Sequence, residues 1–260
     1  GADAAGMVNQ GVHVWRQQTA TSWNFVHHID TNQVPSGPEG QAFAISDDGL
    51  WLAGNMPDPT TGANVAARYD VVNGTWESLG WLPNANPAGC PSLSTAYDIS
   101  GDGQRVVGLS WDVCDGRAFI WDAALPPMQE LQVLGSGQNR ASVISGDGST
   151  IGGFGQGSCR TAGQWASDTT GFEYDVTSCS EVYGTTEDGG TTVGIFNQEG
   201  FYKVGANPVT TFGSLIPGYG ANATDINEAQ TRIVGFDSQL LDRIAWVYEP
   251  GVGFPNLFLA

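Results

Sequence analysis

The fold is decided by residues 96–108, which read Ala96-Tyr97-Asp98-Ile99-Ser100-Gly101-Asp102-Gly103-Gln104-Arg105-Val106-Val107-Gly108. This stretch joins a small residue, an Ile-Ser pair, an acidic-glycine turn and a β-type run that closes on glycine. Variants of it occupy residues 42–54, 141–153, 182–194 and 223–235, and the closing glycines lie 54, 45, 41 and 41 residues apart. A period of this length, built from short strands, predicts repeated β-sheets that are arranged radially or stacked.

A second half follows each closing glycine, and it consists of a variable loop, an aromatic-ended strand, a turn and a last short strand. The aromatic-ended strands lie at residues 12–15, 66–69, 118–121, 162–165, 200–203 and 245–248. One repeat is therefore four short strands, in which the Asp-Gly step forms a tight hairpin because glycine accepts a positive φ. The last strands are expected near residues 25–29, 76–80, 130–134, 172–176, 211–215 and 256–259.

Six aromatic-ended strands predict an all-β fold, a six-bladed β-propeller of four-stranded antiparallel blades. We expect a single domain over residues 1–260, with blades near 1–30, 41–81, 95–134, 140–177, 181–215 and 222–260. The first blade lacks its innermost strand, since only a strand near residues 4–8 precedes its aromatic-ended strand. That strand was trimmed from the chain, is dispensable, or comes from a neighbouring molecule, because an open sheet edge invites pairing. The chain is accordingly a monomer or self-associates through this blade.

The composition restricts the kind of partner and the compartment. The chain has 37 glycines, 9 Lys and Arg residues, 27 Asp and Glu residues and a net charge of −18. Such a surface repels phosphate backbones and anionic lipids, so nucleic acid and membrane partners are disfavoured. No apolar stretch approaches the ~18 residues of a membrane span. The first residues, Gly1-Ala2-Asp3, look like a processed or trimmed end.

The frame A-x-x-I-S-x-D-G-x-x-V-V-G, followed by A-F-x-W, resembles the bacterial extracellular HAF-type repeat family. The agreement is best at residues 96–108 with 118–121 and at residues 42–54 with 66–69, and it extends over nearly the whole chain. The resemblance implies a secreted or surface-attached bacterial protein, and the family supplies no agreed activity to carry over. The chain departs from the frame where Glu228-Ala229 replaces Asp-Gly and where Lys203 replaces the aromatic residue.

Four cysteines indicate an oxidising compartment, extracellular or periplasmic, because they form an even number and no C-x-x-C pair. In a blade of this type, the loops between the second and third strands share one face with the crossovers between blades. All four cysteines fall on these loops, and proximity favours disulfides Cys90–Cys114 and Cys159–Cys179. We expect them to staple long loops.

The same loop face carries the candidate ligand-binding residues, because irregular loops on a rigid scaffold are where binding usually resides. These candidates are Trp81, Trp111, Asp112, Arg117, Arg140, Arg160, Tyr219 and Arg243, with Asp115, Asp237 and Asp242 beside them. The arginines either grip an anionic ligand such as a uronate or pair with loop acids such as Asp115 or Asp242. The two loop tryptophans are candidates to stack on a sugar ring. By contrast, Trp15, Trp121 and Trp165 repeat at one position, which indicates packing between blades.

Enzyme templates fit poorly. No G-x-S-x-G elbow is present, and the three histidines, His13, His27 and His28, lie on the first blade. Adjacent residues of a strand point to opposite faces, so His27 and His28 do not predict a metal site. Calcium is compatible with the net charge, although no EF-hand or nonapeptide loop occurs, and no cofactor is expected.

The sequence therefore favours a non-catalytic binding module for a glycan or a surface protein. The alternatives are a polysaccharide hydrolase or lyase that uses the arginine-and-acid rim, and a structural matrix or assembly subunit.

Overall fold

The computed structural model describes residues 12–19, 22–29, 44–58, 60–83, 93–113, 115–239 and 242–254. These residues form β-strands and turns and contain no helix, and every pair of neighbouring strands in the sheets is antiparallel. The chain divides into two compact units, Gly1–Glu130 and Leu131–Ala260. The prediction of an all-β fold is confirmed.

The described residues of the first unit form one two-stranded and two four-stranded sheets, whose strands follow the order of the chain. Its strands are β1 (Val12–Thr19), β2 (Ser22–Ile29), β3 (Ala44–Ile45), β4 (Trp51–Pro57), β5 (Asn64–Asp70), β6 (Thr75–Gly80), β7 (Ser94–Ile99), β8 (Arg105–Asp112), β9 (Asp115–Asp122) and β10 (Gln129–Glu130). The sheets are β1–β2, β3–β6 and β7–β10.

The second unit holds two four-stranded sheets and one sheet of three described strands. Its strands are β11 (Gln138–Ile144), β12 (Thr150–Gln156), β13 (Arg160–Ala166), β14 (Gly171–Glu173), β15 (Ser180–Thr185), β16 (Thr191–Phe196), β17 (Glu199–Val204), β18 (Thr210–Phe212), β19 (Gly220–Ile226), β20 (Ile233–Gln239) and β21 (Asp242–Tyr248). The sheets are β11–β14, β15–β18 and β19–β21.

The acidic-glycine turn joins the first two strands of each repeat, as the sequence predicts. In the copy quoted above, Ser100 Oγ donates to Asp102 Oδ1 at 2.6 Å and accepts from the Arg105 amide at 2.9 Å. Asp102 Oδ1 also accepts from the Gln104 amide. Gly103 takes a φ of 69°, which costs glycine nothing. The same contacts recur around Ser46, Ser145 and Thr186.

The last copy of the turn reaches the same geometry with different residues. Asn227 Oδ1 accepts from the amides of Thr231 and Arg232, at 3.0 and 2.8 Å, so one side chain does the work of the serine and the aspartate. Gln230 occupies the glycine position with a φ of 55°. Ala229-Gln230 therefore replace Asp-Gly in this copy. The prediction that Glu228-Ala229 replace it was wrong by one residue.

The closing glycines are required by a close approach within the sheet. A Cβ on Gly108, Gly194 or Gly235 would lie 2.0 to 2.1 Å from a carbonyl oxygen of the first strand of the repeat. Each of these first strands has one extra residue relative to the second strand with which it pairs, such as the residue between Ala96 and Asp98 of β7. Such a β-bulge bends the strand that carries it.

Packing between neighbouring sheets uses the repeated aromatic residues in the first unit. The Arg68 guanidinium lies between Trp51 and Trp121, with its Cζ 3.9 and 4.7 Å from the two ring centroids. It also donates to the Gly103 carbonyl at 2.7 Å and to Glu77 at 2.8 Å. Trp121 therefore packs between sheets, as predicted.

Two other members of that repeat position also contact residues of the preceding repeat. Trp165 is fully buried, and its Nε1 donates to the Gln132 carbonyl. Lys203, which replaces the aromatic residue, is also buried, with its ammonium group 5.5 and 5.0 Å from the rings of Phe172 and Tyr174. The Trp15 side chain lies outside the described part of the structure.

The outer strands begin and end earlier than predicted. The expected strand at residues 130–134 is β10 at 129–130, and those at 172–176 and 211–215 are β14 and β18. The expected strands at residues 4–8 and 256–259 lie outside the described residues. Four sheets have the predicted four strands.

Candidate functional site

The centre of the candidate site is Glu181, a carboxylate on β15 whose side chain is only 2% exposed. Its Oε1 pairs with Arg140 Nη2, and its Oε2 pairs with Arg160 Nη1 at 2.7 Å. A buried carboxylate is stable only when it is paired and hydrogen-bonded, and here both oxygens are engaged.

The repeat itself brings two of these three residues together. Arg140 and Glu181 each lie five positions before the turn residue of their repeat, which is Ser145 for one and Thr186 for the other. They therefore occupy equivalent positions on β11 and β15, two neighbouring first strands that are in contact. Ser142, the extra residue of the β11 bulge, accepts from Arg140 Nε at 3.1 Å.

A disulfide fixes the third residue. Cys159 and Cys179 are bonded, as predicted, and they directly precede Arg160 on β13 and Ser180 on β15. Ser180 Oγ accepts from the Ala162 amide at 2.9 Å, which provides a second link between the same two strands. The disulfide predicted between residues 90 and 114 lies outside the described residues.

An aromatic ring supports both guanidinium groups. The ring centroid of Phe154 lies 5.0 Å from Arg140 Cζ and 4.4 Å from Arg160 Cζ. Cations are attracted to the face of an aromatic ring at such distances. Phe154 therefore helps to fix the arginines beside Glu181.

An open cavity of about 410 Å³ adjoins this cluster. It is lined by Arg160, Cys179, Ser180, Glu181, Tyr183, Ile195, Asn197 and Gln198. Burial raises the pKa of Tyr183 to about 12, and the charge of Glu181 adds to this effect while the two arginines oppose it. The phenol is therefore a neutral hydrogen-bond donor at physiological pH.

Two cationic side chains converge on one carboxylate at the site. Arg140 and Arg160 both contact Glu181, on a chain whose net charge is −18. The Arg160 side chain is 50% exposed, and the described contacts use its Nη1 on Glu181. The arrangement can hold an anionic or strongly hydrogen-bonding group in the cavity.

The structure places four of the predicted site residues in the first unit. Arg117 Nη2 lies 3.7 Å from Asp112 Oδ2, across the hairpin that joins β8 and β9. Trp111 is opposite Gly116 in the same hairpin and is half-buried. Trp81 is half-buried just after β6. Arg117 thus pairs with an acid, as one of the two interpretations of the arginines predicts.

The remaining predicted residues lie in the second unit, and no described contact joins them to Glu181. The Tyr219 amide donates to the Ile216 carbonyl in the turn before β19. Arg243 is exposed, and its Cζ lies 5.1 Å from the ring of Phe236. Asp237 is fully buried and accepts from Ser214 Oγ, the Ile216 amide and Trp246 Nε1. Asp237 therefore has a structural role.

Sequence reasoning selected Arg140 and Arg160 but missed Glu181, Tyr183 and Phe154. The signal was present, because aligning the repeats places Glu181 and Arg140, of opposite charge, at one position. Within the described residues, no group of three or more His, Cys, Asp or Glu side chains is placed to hold a metal ion. Nor does that part of the chain contain a helix that could cross a membrane.

Comparison with known proteins identifies the class of fold. The chain aligns with the structure of a protein assigned as TolB from Agrobacterium tumefaciens with a TM-score of 0.62 and 11% identity, covering 94% of this chain and 86% of that one. It aligns with a nidogen/laminin complex structure with a TM-score of 0.55 and 8% identity, over 93% and 86% of the two chains.

A third similar structure is described explicitly as the β-propeller domain of the Trilobed protease from Pyrococcus furiosus. Its TM-score is 0.51 at 11% identity, and the alignment covers 82% of this chain and 68% of that domain. At such identities the likeness shows the fold alone, and that fold is β-propeller-like. No protein-family model matches the chain, and no curated protein does.

Proposed function

We propose that this chain is a non-catalytic binding module that holds a glycan in the cavity beside Glu181. The proposal includes a single closed six-bladed propeller over residues 1–260 that belongs to the HAF-type repeat proteins. It also places the protein outside the cell or in the periplasm, in agreement with the disulfide between Cys159 and Cys179.

The observation that carries the proposal is the volume and lining of the cavity. Its volume of about 410 Å³ lies within the usual range of roughly 300–1,000 Å³ for small-ligand sites. A stable protein interface instead needs about 800 Å² of surface from each partner. The lining combines a guanidinium, a phenol and two side-chain amides, contributed by Arg160, Tyr183, Asn197 and Gln198. Such groups suit the hydroxyl-rich surface of a sugar.

The chemistry of the lining argues against glycoside cleavage. Hydrolysis of glycosides normally requires two carboxyl groups on either side of the bond. Among the described residues, Glu181 is the one acid that lines the cavity, and both of its oxygens are held by arginines. Tyr183 is a poor base for a lyase reaction, because burial raises its pKa to about 12. A binding role fits this lining better than a catalytic one.

The test is binding and turnover measured side by side on the full chain. We expect an array of neutral and acidic glycans to retain the protein, and we expect no change in oligosaccharide length on incubation. Tyr183→Ala should abolish retention, whereas Trp111→Ala in the first unit should not, with circular dichroism confirming that both variants fold.

Three results would contradict the proposal. Retention of no glycan would exclude the ligand class, and cleavage of an oligosaccharide would exclude a purely binding role. Loss of retention in Trp111→Ala alone would move the site to the first unit.

A further inference from the structure

We infer that the glycan held beside Glu181 carries a carboxylate, as a uronic acid does, and that Arg160 is the residue that selects it. This inference rests on the proposed binding function and adds the chemical class of the ligand.

The first argument is the local concentration of cationic side chains. Arg140 and Arg160 both contact Glu181, beside the cavity. Elsewhere the chain is strongly acidic, with 27 Asp and Glu residues against 9 Lys and Arg residues. The cavity thus presents the Arg160 guanidinium on a protein that otherwise repels anions, and a ligand carboxylate could bind to that group.

The second argument is the exposure and orientation of Arg160. Its neighbour Arg140 is 21% exposed, whereas the Arg160 side chain is 50% exposed and lines the cavity. Phe154 lies against the guanidinium of Arg160, and Glu181 holds its Nη1 at 2.7 Å. The planar Arg160 guanidinium is therefore contacted on its face by Phe154 and at Nη1 by Glu181. Its Nε and Nη2 donors have no partner among the described contacts. An arginine fork matches a carboxylate because two parallel N–H bonds can form.

The third argument is that the other polar side chains of the cavity can donate. The Tyr183 hydroxyl has no partner among the described hydrogen bonds, and it stays protonated at neutral pH. Asn197 Oδ1 already accepts from the Cys179 amide at 2.9 Å, which leaves the amide hydrogens of Asn197 for a ligand. A site with donors in excess of acceptors favours a ligand that accepts, and a carboxylate accepts without donating.

Glu181 acts here as a positioning residue. It holds Arg160 in place through the ion pair with Nη1. Arg160, by contrast, contacts the ligand directly.

The experiment compares each ligand with its own uncharged ester. Galacturonate and glucuronate trisaccharides, each as the free acid and as the methyl ester, are titrated into the full chain by calorimetry. We expect at least one free acid to bind about tenfold more tightly than its ester, since a charge-assisted bond adds roughly that much. We also expect this preference to shrink when NaCl is raised from about 50 to 500 mM, because salt screens charges.

Variants then test whether Arg160 selects the acid. Arg160→Gln should remove the preference for the acid while leaving the weaker ester binding, and Arg160→Lys should retain only part of it. Arg243→Gln, which changes an exposed arginine of the same unit, should leave the preference unchanged, and circular dichroism should show that all three variants fold.

Each other outcome is decisive. Equal binding of acid and ester, or an unchanged preference in Arg160→Gln, would overturn the inference while the proposed function stands. Binding of neither form, when neutral glycans do bind, would also overturn only the inference. Failure of every glycan to bind would overturn the proposed function with it.

Discussion

Arg140 and Glu181 occupy the same position in two successive repeats, and their side chains form an ion pair between β11 and β15. Most first strands carry a small or polar residue at this position, whereas the neighbouring strands β11 and β15 carry opposite charges. Thr95 and Asn222 stand at the equivalent position of β7 and β19. The pair is therefore a local specialisation of a common scaffold.

Neutralising Glu181 should destabilise the protein. In Glu181→Gln, the two arginines lose the carboxylate that both contact, and one oxygen that accepted a charged bond is replaced by an amide. We expect the free energy of unfolding to fall by about 2 kcal/mol, because breaking a largely buried ion pair is costly but Arg160 is half-exposed. Urea denaturation measures the loss. Glu199→Gln, an exposed acid at the start of β17, is the control, and equal effects in both variants would contradict the role of Glu181.

The closing glycine of the β15–β18 sheet lies close to the backbone of Glu181. A Cβ at Gly194 would lie 2.0 Å from the Glu181 carbonyl and 2.7 Å from the ring of Phe201. We expect Gly194→Ala to lower the free energy of unfolding by about 3 kcal/mol, since strand and ring must both move. Gly213→Ala meets no atom within 4 Å and should change stability by less than about 0.5 kcal/mol. A similar loss in both would show that the close approach does not matter.

The last repeat offers a stabilising substitution. Gln230 adopts a φ of 55° where the other copies have glycine. Since a residue with a Cβ is strained there, Gln230→Gly should raise the free energy of unfolding by about 0.5–1 kcal/mol. Ala229→Gly, at the neighbouring position, should instead lower it slightly through added freedom in the unfolded chain. If thermal unfolding shows Gln230→Gly to be less stable than the parent, the alignment of this turn is wrong.

The disulfide should matter for both stability and binding. The cross-link between Cys159 and Cys179 spans 20 residues, which corresponds to about 3 kcal/mol in the chain-entropy treatment. The double variant Cys159→Ser/Cys179→Ser should lose roughly this much stability. It should also bind the ligand more weakly, because Arg160 and Ser180 directly follow the two cysteines. Unaltered affinity in a folded double variant would show that the strands hold the site without the cross-link.

Tyr183 should make the protein sensitive to alkaline pH. Its pKa in the folded protein is raised from 10.0 to about 12, mainly by burial, so the unfolded chain loses this proton first as pH rises. The stabilisation is complete below about pH 10 and is lost progressively between pH 10 and 12. Tyr183→Phe cannot ionise, so its free energy of unfolding should fall less over that interval. Parallel pH profiles for parent and variant would contradict the burial of this phenol.

Much of the fold was predictable because the repeated motif contains the residues that its turn and its closing glycine position require. The Ser100–Asp102–Gly103 turn and the closing Gly108 each have one strong physical requirement, a local hydrogen-bond pattern or a close backbone approach. The outer strands were predicted less well. β10, β14 and β18 have two or three residues each, and so short a strand is defined by its partner more than by its own sequence.

The site was less predictable for a different reason. Arg160 and Cys159 could be placed on the loop face from the sequence, since loops and cysteines are easily recognised. Glu181 was missed because an acid next to a strand start is ordinary in so acidic a chain, and only an alignment of the repeats places it at the position of Arg140. Its importance comes from burial and from the two arginines that contact it, and those depend on the packing of β15 against β11 and β13.

The most direct test is a crystal structure of the full chain grown with a uronate trisaccharide that calorimetry has shown to bind. The account predicts density for one sugar ring in the cavity beside Tyr183, with its carboxylate within about 3 Å of the Arg160 guanidinium. Sugar density at the hairpin of Trp111 and Arg117, with the cavity beside Glu181 empty, would contradict it.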